Sequence, residues 1–437
     1  MLQLRDRLLW RLFKIDLSNV HDRNAWYLVL ELFWASILGS AATFNAAFAI
    51  RLGADNFQVG LLTSIPALMA VLVSIPAGAI LQKRAKRTPW IYGSLMLHRV
   101  GYLLVALAPF LPLDGPVRGL LVVLLLVLFA APAHFFNVGW IAMLGEAIPE
   151  SRRAAVFTAR NITNQVTVSV VVFLAGQWLS NVAFPINYQS MFLFGFITSV
   201  ISMGYLLKLE IPDSICPPVE PKAKRNSALD FLRETRDAVR SQPAFARITI
   251  NTMLHGFGVW MAAPLYTLYF VRQLDAPDSW LGLNGTIASI GTIIGYNLWR
   301  WLLNRWGEPV SLKRTIVLAG VYPVLVGLTP SLPLILGYGV LNGLIVPGIN
   351  LSHFNTLLRA TPADARPRFT SIYVTMMNIG AFVSPLISVA IANKIGLAPM
   401  LVIAGVLSIV GSTSFWWWPV EQQEKAQMTQ PVTEAAA

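Results

Sequence analysis

Few residues with the means to do chemistry sit inside the apolar stretches of this chain: Glu31, Arg99 and the histidines His98, His134, His255 and His353. A charge at the middle of a membrane helix costs about 2.5 to 3.5 kcal/mol on insertion scales, so each one needs a partner or a task. Glu31 and Arg99 fall at similar depths in their segments, and two readings stand. They form an ion pair, or Glu31 takes up and releases a proton that couples a gradient to the movement of a solute. His134 and His353 join them as coupling candidates, because each shares a helical face with amides. Asn137 follows His134 by three, and Asn342, Asn350 and His353 lie at i, i+8 and i+11. A histidine in such a place is otherwise a hydrogen-bonded packing residue.

Uncharged polar residues form the second group. Asn161, Asn164 and Gln165 recur at i, i+3 and i+4. A later segment carries Asn251, His255, Tyr266 and Tyr269, and Asn378 lies further on. Asn137, Asn161, Asn164, Gln165, His255, Tyr266, Asn342, Asn350 and Asn378 are the substrate-binding candidates. Amides, imidazoles and phenols suit a neutral or amphipathic solute with several hydrogen-bonding groups. The competing use is hydrogen bonding between helices, worth roughly 0.6 to 2 kcal/mol per bond. A dianionic solute is disfavoured, since Arg99 is the one basic residue placed deep in a span. No phosphate-cradling Gly-(x4)-Gly-Lys-Ser/Thr run occurs, no Cys/His cluster has metal spacing, and the single cysteine, Cys216, permits no internal disulfide. The expectation is a protein that is not an enzyme and needs no cofactor or metal.

The elements that must hold these residues are membrane helices. With 55% hydrophobic and 12% charged residues, a chain of 437 residues is far from the composition of soluble domains, whose charged fraction is about a quarter. Spans long enough to cross about 30 Å of hydrocarbon are expected at 26–50, 58–81, 90–112, 117–145, 155–182, 189–210, 246–270, 280–303, 314–331, 332–358, 369–393 and 397–418. The set divides six and six around a polar stretch from Pro212 to Arg247. The segment from Phe48 to Leu61, with Arg51, recurs loosely at Tyr269 to Leu283, with Arg272, displaced by 221 residues; Asn137 to Thr158 matches Asn350 to Thr370, displaced by about 212. A duplicated membrane chain of this kind marks a two-bundle transporter. The expected domains are an amphipathic helix at 1–25, a six-helix bundle at 26–211, a linker with a short helix at 212–245, a second bundle at 246–418 and a disordered tail at 419–437.

Net charge is +12, and its distribution gives it meaning. Assigning alternate loops to one side places 28 of the 33 Lys and Arg there, counting Arg152, Arg153 and Arg160, against four on the other side (Arg51, Arg118, Arg272 and Lys394), with Arg99 inside a span. Positive residues mark the cytoplasmic side, so both termini and the linker are expected in the cytoplasm of an inner-membrane protein, and nucleic acid is not called for. In the first segment Leu8, Leu9, Leu12, Phe13 and Leu17 alternate with Arg5, Arg7, Arg11 and Lys14, a pattern for a helix lying on the membrane surface. A cleaved signal at Ala47-Phe48-Ala49 is the rival, disfavoured by a first region of about 25 residues.

The chain resembles the major facilitator superfamily of secondary transporters. The resemblance rests on twelve spans in two halves, a long basic central loop, and short basic loops after spans 2 and 8. Gly145-Glu146-Ala-Ile-Pro149-Glu-Ser-Arg152-Arg153 is similar to the family's acidic-aliphatic-Pro-x-x-Arg loop, with Ala360-Thr-Pro362-(x3)-Arg366 as its counterpart. The signature after span 2 departs from the pattern: Gly78 to Arg87 keeps the glycine and Arg84 but has Gln82 where Asp belongs. Asn304-Arg305-Trp306-Gly307 shows the same loss after span 8. The resemblance implies an all-α membrane protein of twelve helices in two pseudo-symmetric bundles, with spans 1, 4, 7 and 10 lining a central cavity that opens alternately. It also implies cytoplasmic gating loops at Gly78, Arg84, Glu146, Arg152, Arg153, Arg305, Gly307 and Arg366.

The function expected is a monomeric secondary transporter, among membrane lipids, for a small neutral or amphipathic solute, with proton coupling as one option. A lipid or lysolipid flippase, and a non-transporting assembly or delivery factor, are the alternatives on the same fold.

Overall fold

The computed structural model describes residues 17–211, 233, 235–237, 240–362 and 365–420. Most of the expected surface helix, the linker with Cys216 and the tail beyond residue 420 lie outside them. Among the described residues the regular structure is helical throughout, without strands. Ten helices are long and apolar enough to cross a membrane. Two more, Pro243–Leu268 with 26 residues and Asp278–Trp306 with 29, take the repeat positions of spans 1 and 2. At 1.5 Å per residue each exceeds 30 Å, which completes two sets of six.

The chain divides into two compact units, one of Met1–Val219 with Asp275–Ser289, the other of Glu220–Leu274 with Ile290–Ala437. In the first unit, span 1 runs as Val20–Ala42 and, after a turn at Thr43 and Phe44, Asn45–Arg51. Span 2 is Asn56–Gln82, started by an Asp55/Gln58 capping box, and span 3 is Thr88–Leu107. Span 4 is broken into Gly115–Leu128 and Ala130–Ala147. Pro132 explains the break, because proline has no N–H for the carbonyl of Leu128 and its ring crowds that carbonyl. Span 5 is Glu150–Asn181 and span 6 Ile186–Leu206. Span 1 packs chiefly on spans 5 and 6, and span 3 on spans 4 and 6. The rings of Phe48 and Tyr188 stack at 4.7 Å, and Phe192 lies 5.4 Å from Phe48.

In the second unit, span 7 (Pro243–Leu268, continued by a π-turn to Gln273) and span 9 (Glu308–Leu328) both pack against span 12 (Leu397–Trp417). Spans 10 and 11 are Leu332–Ala360 and Arg366–Ile395. Small residues let the backbones close: a Cβ on Gly258 would stand 2.4 Å from the Ala404 carbonyl and from the Ser408 amide nitrogen. This is the small-residue contact of membrane helices.

Helix ends fall near the expected ones, with the largest differences at the starts of span 1, at Val20 instead of 26, span 9, at Glu308 instead of 314, and span 5, at Glu150 instead of 155, and at the end of span 3, at Leu107 instead of 112. The early starts take in polar and charged residues that composition alone reads as loop. Span 8 departs in another way: its first residues, to Ser289, belong with the first unit.

Candidate functional site

Four spans of the first unit meet at Glu31. The carboxylate is 4% exposed, Arg99 3% and Arg160 7%. Arg160 Nη1 donates to Oε2 at 3.1 Å and also to the Leu28 carbonyl one turn earlier. Arg99 Nη2 lies 4.0 Å from Oε1 and donates at 2.9 Å to Ser202, whose hydroxyl donates to Oε1 at 3.1 Å. Arg99 also donates to the Ser199 carbonyl at 2.5 Å. Spans 1, 3, 5 and 6 thus each supply one group to a network with two cations around one anion. Deep burial makes every member costly to leave alone. The expected pair of Glu31 and Arg99 is present, and Arg160 completes it. Assigning Arg160 to the loop charges needs correcting: its guanidinium is buried in span 5, 5.0 Å above the Trp140 ring.

A second buried carboxylate, Asp278, is absent from the sequence-derived candidates. Its Oδ1 accepts from Tyr188 Oη at 2.7 Å and from Arg51 Nη2 and Nε at 2.9 and 3.2 Å. Next to it the Ser279 amide donates to Ser180 at 2.7 Å, and Thr286 donates to the Ser169 carbonyl at 3.0 Å. Gly176 and Gly282 sit so close that a Cβ on either would stand 2.9 Å from the Cα of the other. The available signal was the recurrence of Arg51 at Arg272 in segments that each lead into an acidic helix start. It marked the arginine and gave no hint of its partner.

At the opposite end of the first unit some of the loop charges are paired. Arg87 donates to Glu146 at 3.2 Å, Arg152 pairs with Asp22, and Arg153 donates to the carbonyls of Gly145 and Ile148 at 2.7 and 3.1 Å. Gly78 lies on the last turns of span 2, where a Cβ would meet nothing within 4 Å, and Arg84 covers the Trp90 ring at 4.7 Å. In the second unit Glu308 accepts from Asn355 at 2.6 Å and is ion-paired with Arg359 at 2.9 Å. A carboxylate four residues beyond Asn304 is therefore present where the loop pattern had lost one. Gly307 precedes it with φ 76°, Arg305 lies 5.6 Å above Trp301, and Arg366 is exposed at the start of span 11.

The remaining candidates separate by accessibility. Asn137, Asn161 and Asn350 are exposed on spans 4, 5 and 10. Gln165 and Asn342 are half-buried, Asn164 accepts from Ser36 at 2.8 Å, and Asn378 donates to the Val374 carbonyl of its own helix at 2.8 Å. His134 is half-buried on span 4, and His98 Nδ1 lies 2.7 Å from the Phe129 carbonyl at the break in span 4, so that nitrogen carries the proton. His353 Nε2 meets Thr252 at 2.8 Å and Tyr373 at 3.1 Å. His255 is buried with Nδ1 2.8 Å from Ser412 and 3.0 Å from Ser408, a contact between spans 7 and 12. The Tyr266 ring lies 5.3 Å from that of Tyr322 and 6.2 Å from that of Phe270. His255 thus packs where it was a candidate for binding, while Asn137 and Asn350, equivalent positions of the repeat, are both accessible.

The family model of the Major Facilitator Superfamily matches residues 28–247 and again 248–434. The chain belongs to that superfamily. As a superfamily member it is a multi-pass membrane transporter and not an enzyme. A protein of Deinococcus radiodurans, named as a candidate sugar efflux transporter, is 23% identical over 397 residues, covering 86% of this chain and 93% of its own. Among solved structures, a POT family transporter in complex with 5-aminolevulinic acid has a TM-score of 0.69 at 13% identity, covering 90% of this chain and 96% of that one. A point mutant of the nucleoside transporter NupG has a TM-score of 0.68 at 15% identity, covering 91% of this chain and 100% of that one. These likenesses establish that the superfamily member has the transporter fold.

Proposed function

We propose that the protein is a secondary transporter moving a small neutral or amphipathic solute rich in hydroxyls, such as a sugar, by alternating access. One observation carries the reading. The mid-span charges Glu31, Arg99 and Arg160 are buried against one another, while the exposed polar groups at Asn137, Asn161 and Asn350 are amides. An amide offers two donors and an acceptor oxygen, which matches neighbouring hydroxyls and does not repay the desolvation of a charge. The Deinococcus relative named for sugar efflux agrees with this substrate class.

Counterflow in proteoliposomes tests the proposal. Labelled sugars are expected to exchange, and dicarboxylates are not. Asn137→Ala and Asn350→Ala are expected to reduce exchange several-fold while the protein remains folded. A preference for charged solutes, or wild-type exchange in both variants, would sink the reading.

Proton coupling through Glu31 belongs to the same proposal as its finer part. The carboxylate would have to leave two guanidinium groups and one hydroxyl, and this favours a holding role over a carrying one. Loss of pH-driven accumulation with exchange retained in Glu31→Gln would instead establish Glu31 as the carrier. The proposed topology, an inner-membrane monomer with both termini cytoplasmic, is tested with the single cysteine, since a maleimide is expected to reach Cys216 only from the cytoplasmic side.

A further inference from the structure

Spans 3 and 4 leave a groove of about 300 Å³ between them, at the lower end of ligand-pocket sizes. It is lined by Pro89, Trp90, Gly93, Ser94, Leu97 and Phe135. Its floor is bare because a Cβ on Gly93 would meet nothing within 4 Å. The Ser94 hydroxyl is spent on the Ile91 carbonyl at 2.8 Å, so the walls are apolar. Trp90, Leu97 and Leu104, seven residues apart, are 45%, 50% and 37% exposed, which makes this stripe of span 3 a face for acyl chains. The mouth adjoins the loop between spans 2 and 3. There Lys83, Arg84 and Lys86 are exposed, and the Arg84 guanidinium lies over the Trp90 ring. Arg87 of the same loop is engaged with Glu146, leaving these three cations for an external charge.

We propose that this groove binds one anionic phospholipid, an acyl chain lying along Gly93 and Leu97 and the headgroup phosphate against Lys83, Arg84 and Lys86. Basic residues beside a membrane helix attract anionic lipid, and tryptophan prefers the depth of the headgroups. Charge argues against the chain's own segments as occupants. Those nearest in type carry Arg5, Arg7, Arg11 and Lys14, or Lys222, Lys224 and Arg225, and would be repelled by the same loop.

The experiment reconstitutes the full chain in vesicles of phosphatidylcholine with and without phosphatidylglycerol, re-extracts it in mild detergent and reads retained lipid by native mass spectrometry. The wild type is expected to retain one phosphatidylglycerol in preference to phosphatidylcholine. Gly93→Leu, which fills the groove from open space, is expected to lose that lipid. Lys83→Gln, Arg84→Gln and Lys86→Gln together, all at the surface, are expected to lower the preference by about tenfold or more. Thermal unfolding verifies that each variant is folded, and the surface variant decides the matter if Gly93→Leu is not. Equal retention of both lipids, or undiminished retention in the folded variants, would overturn the proposal. So would displacement of the lipid by inorganic phosphate at equal concentration, or a several-fold gain in retention on deleting residues 1–16, which would give the groove to that segment.

Discussion

The two units solve one packing problem with different chemistry. By the displacement that relates Arg51 to Arg272, Glu31 corresponds to Thr252. In the first unit this position holds a carboxylate between two arginines. In the second it holds a hydroxyl against His353. Around them the first unit adds the buried Asp278 with Arg51 and Tyr188, and the second adds His255 with Ser408 and Ser412 and close approaches at Gly258. Duplication has therefore kept helix positions while letting side chains diverge. At these buried positions one unit holds compensated charge and the other neutral hydrogen bonds, while close glycine contacts occur in both.

The sharpest way to break that contrast is Glu31→Leu, which leaves two buried cations unpaired. A loss of about 3 to 5 kcal/mol is expected, read as a drop in the unfolding temperature, and adding Arg99→Leu and Arg160→Leu should recover much of it. An unchanged unfolding temperature in the single variant would remove the charge network from the account. Gly258→Val tests the other half, since its Cβ has no room against span 12. A loss of up to about 3 kcal/mol is expected, seen in the same melt. Asp278→Asn keeps the shape but removes the charge from Arg51 and Tyr188, for an expected cost of about 2 kcal/mol. His353→Phe should cost least, about 0.6 kcal/mol, as for a neutral bond between membrane helices. If it cost as much as Glu31→Leu, the distinction between the units would fail.

The architecture was open to reading because a span must be long and apolar whatever it packs against, and positions 26–50 through 397–418 already carried that pattern. The site was open only in part. Glu31 and Arg99 stood out as charges in apolar runs, whereas Arg160 lies ten residues inside span 5, within the distance over which basic residues are counted as loop charge. Asp278 reads as an ordinary helix start, a place where acidic residues are common, so its burial was invisible without the packing of span 8. His255 shows the opposite limit: one imidazole looks the same in a sequence whether it faces a solute or, as here, two serines.

The fifteen residues Asp275–Ser289 lie beyond the linker in the gene yet are part of the first compact unit. A fragment ending at Val219 would consequently translate a bundle with Arg51 and Tyr188 stripped of their acid and the Gly176 surface uncovered. Complementation by separately expressed halves split at the linker therefore depends on the carboxy-terminal piece bringing Asp278 back to Arg51 and Tyr188, and Asp278→Asn in that piece is expected to weaken it.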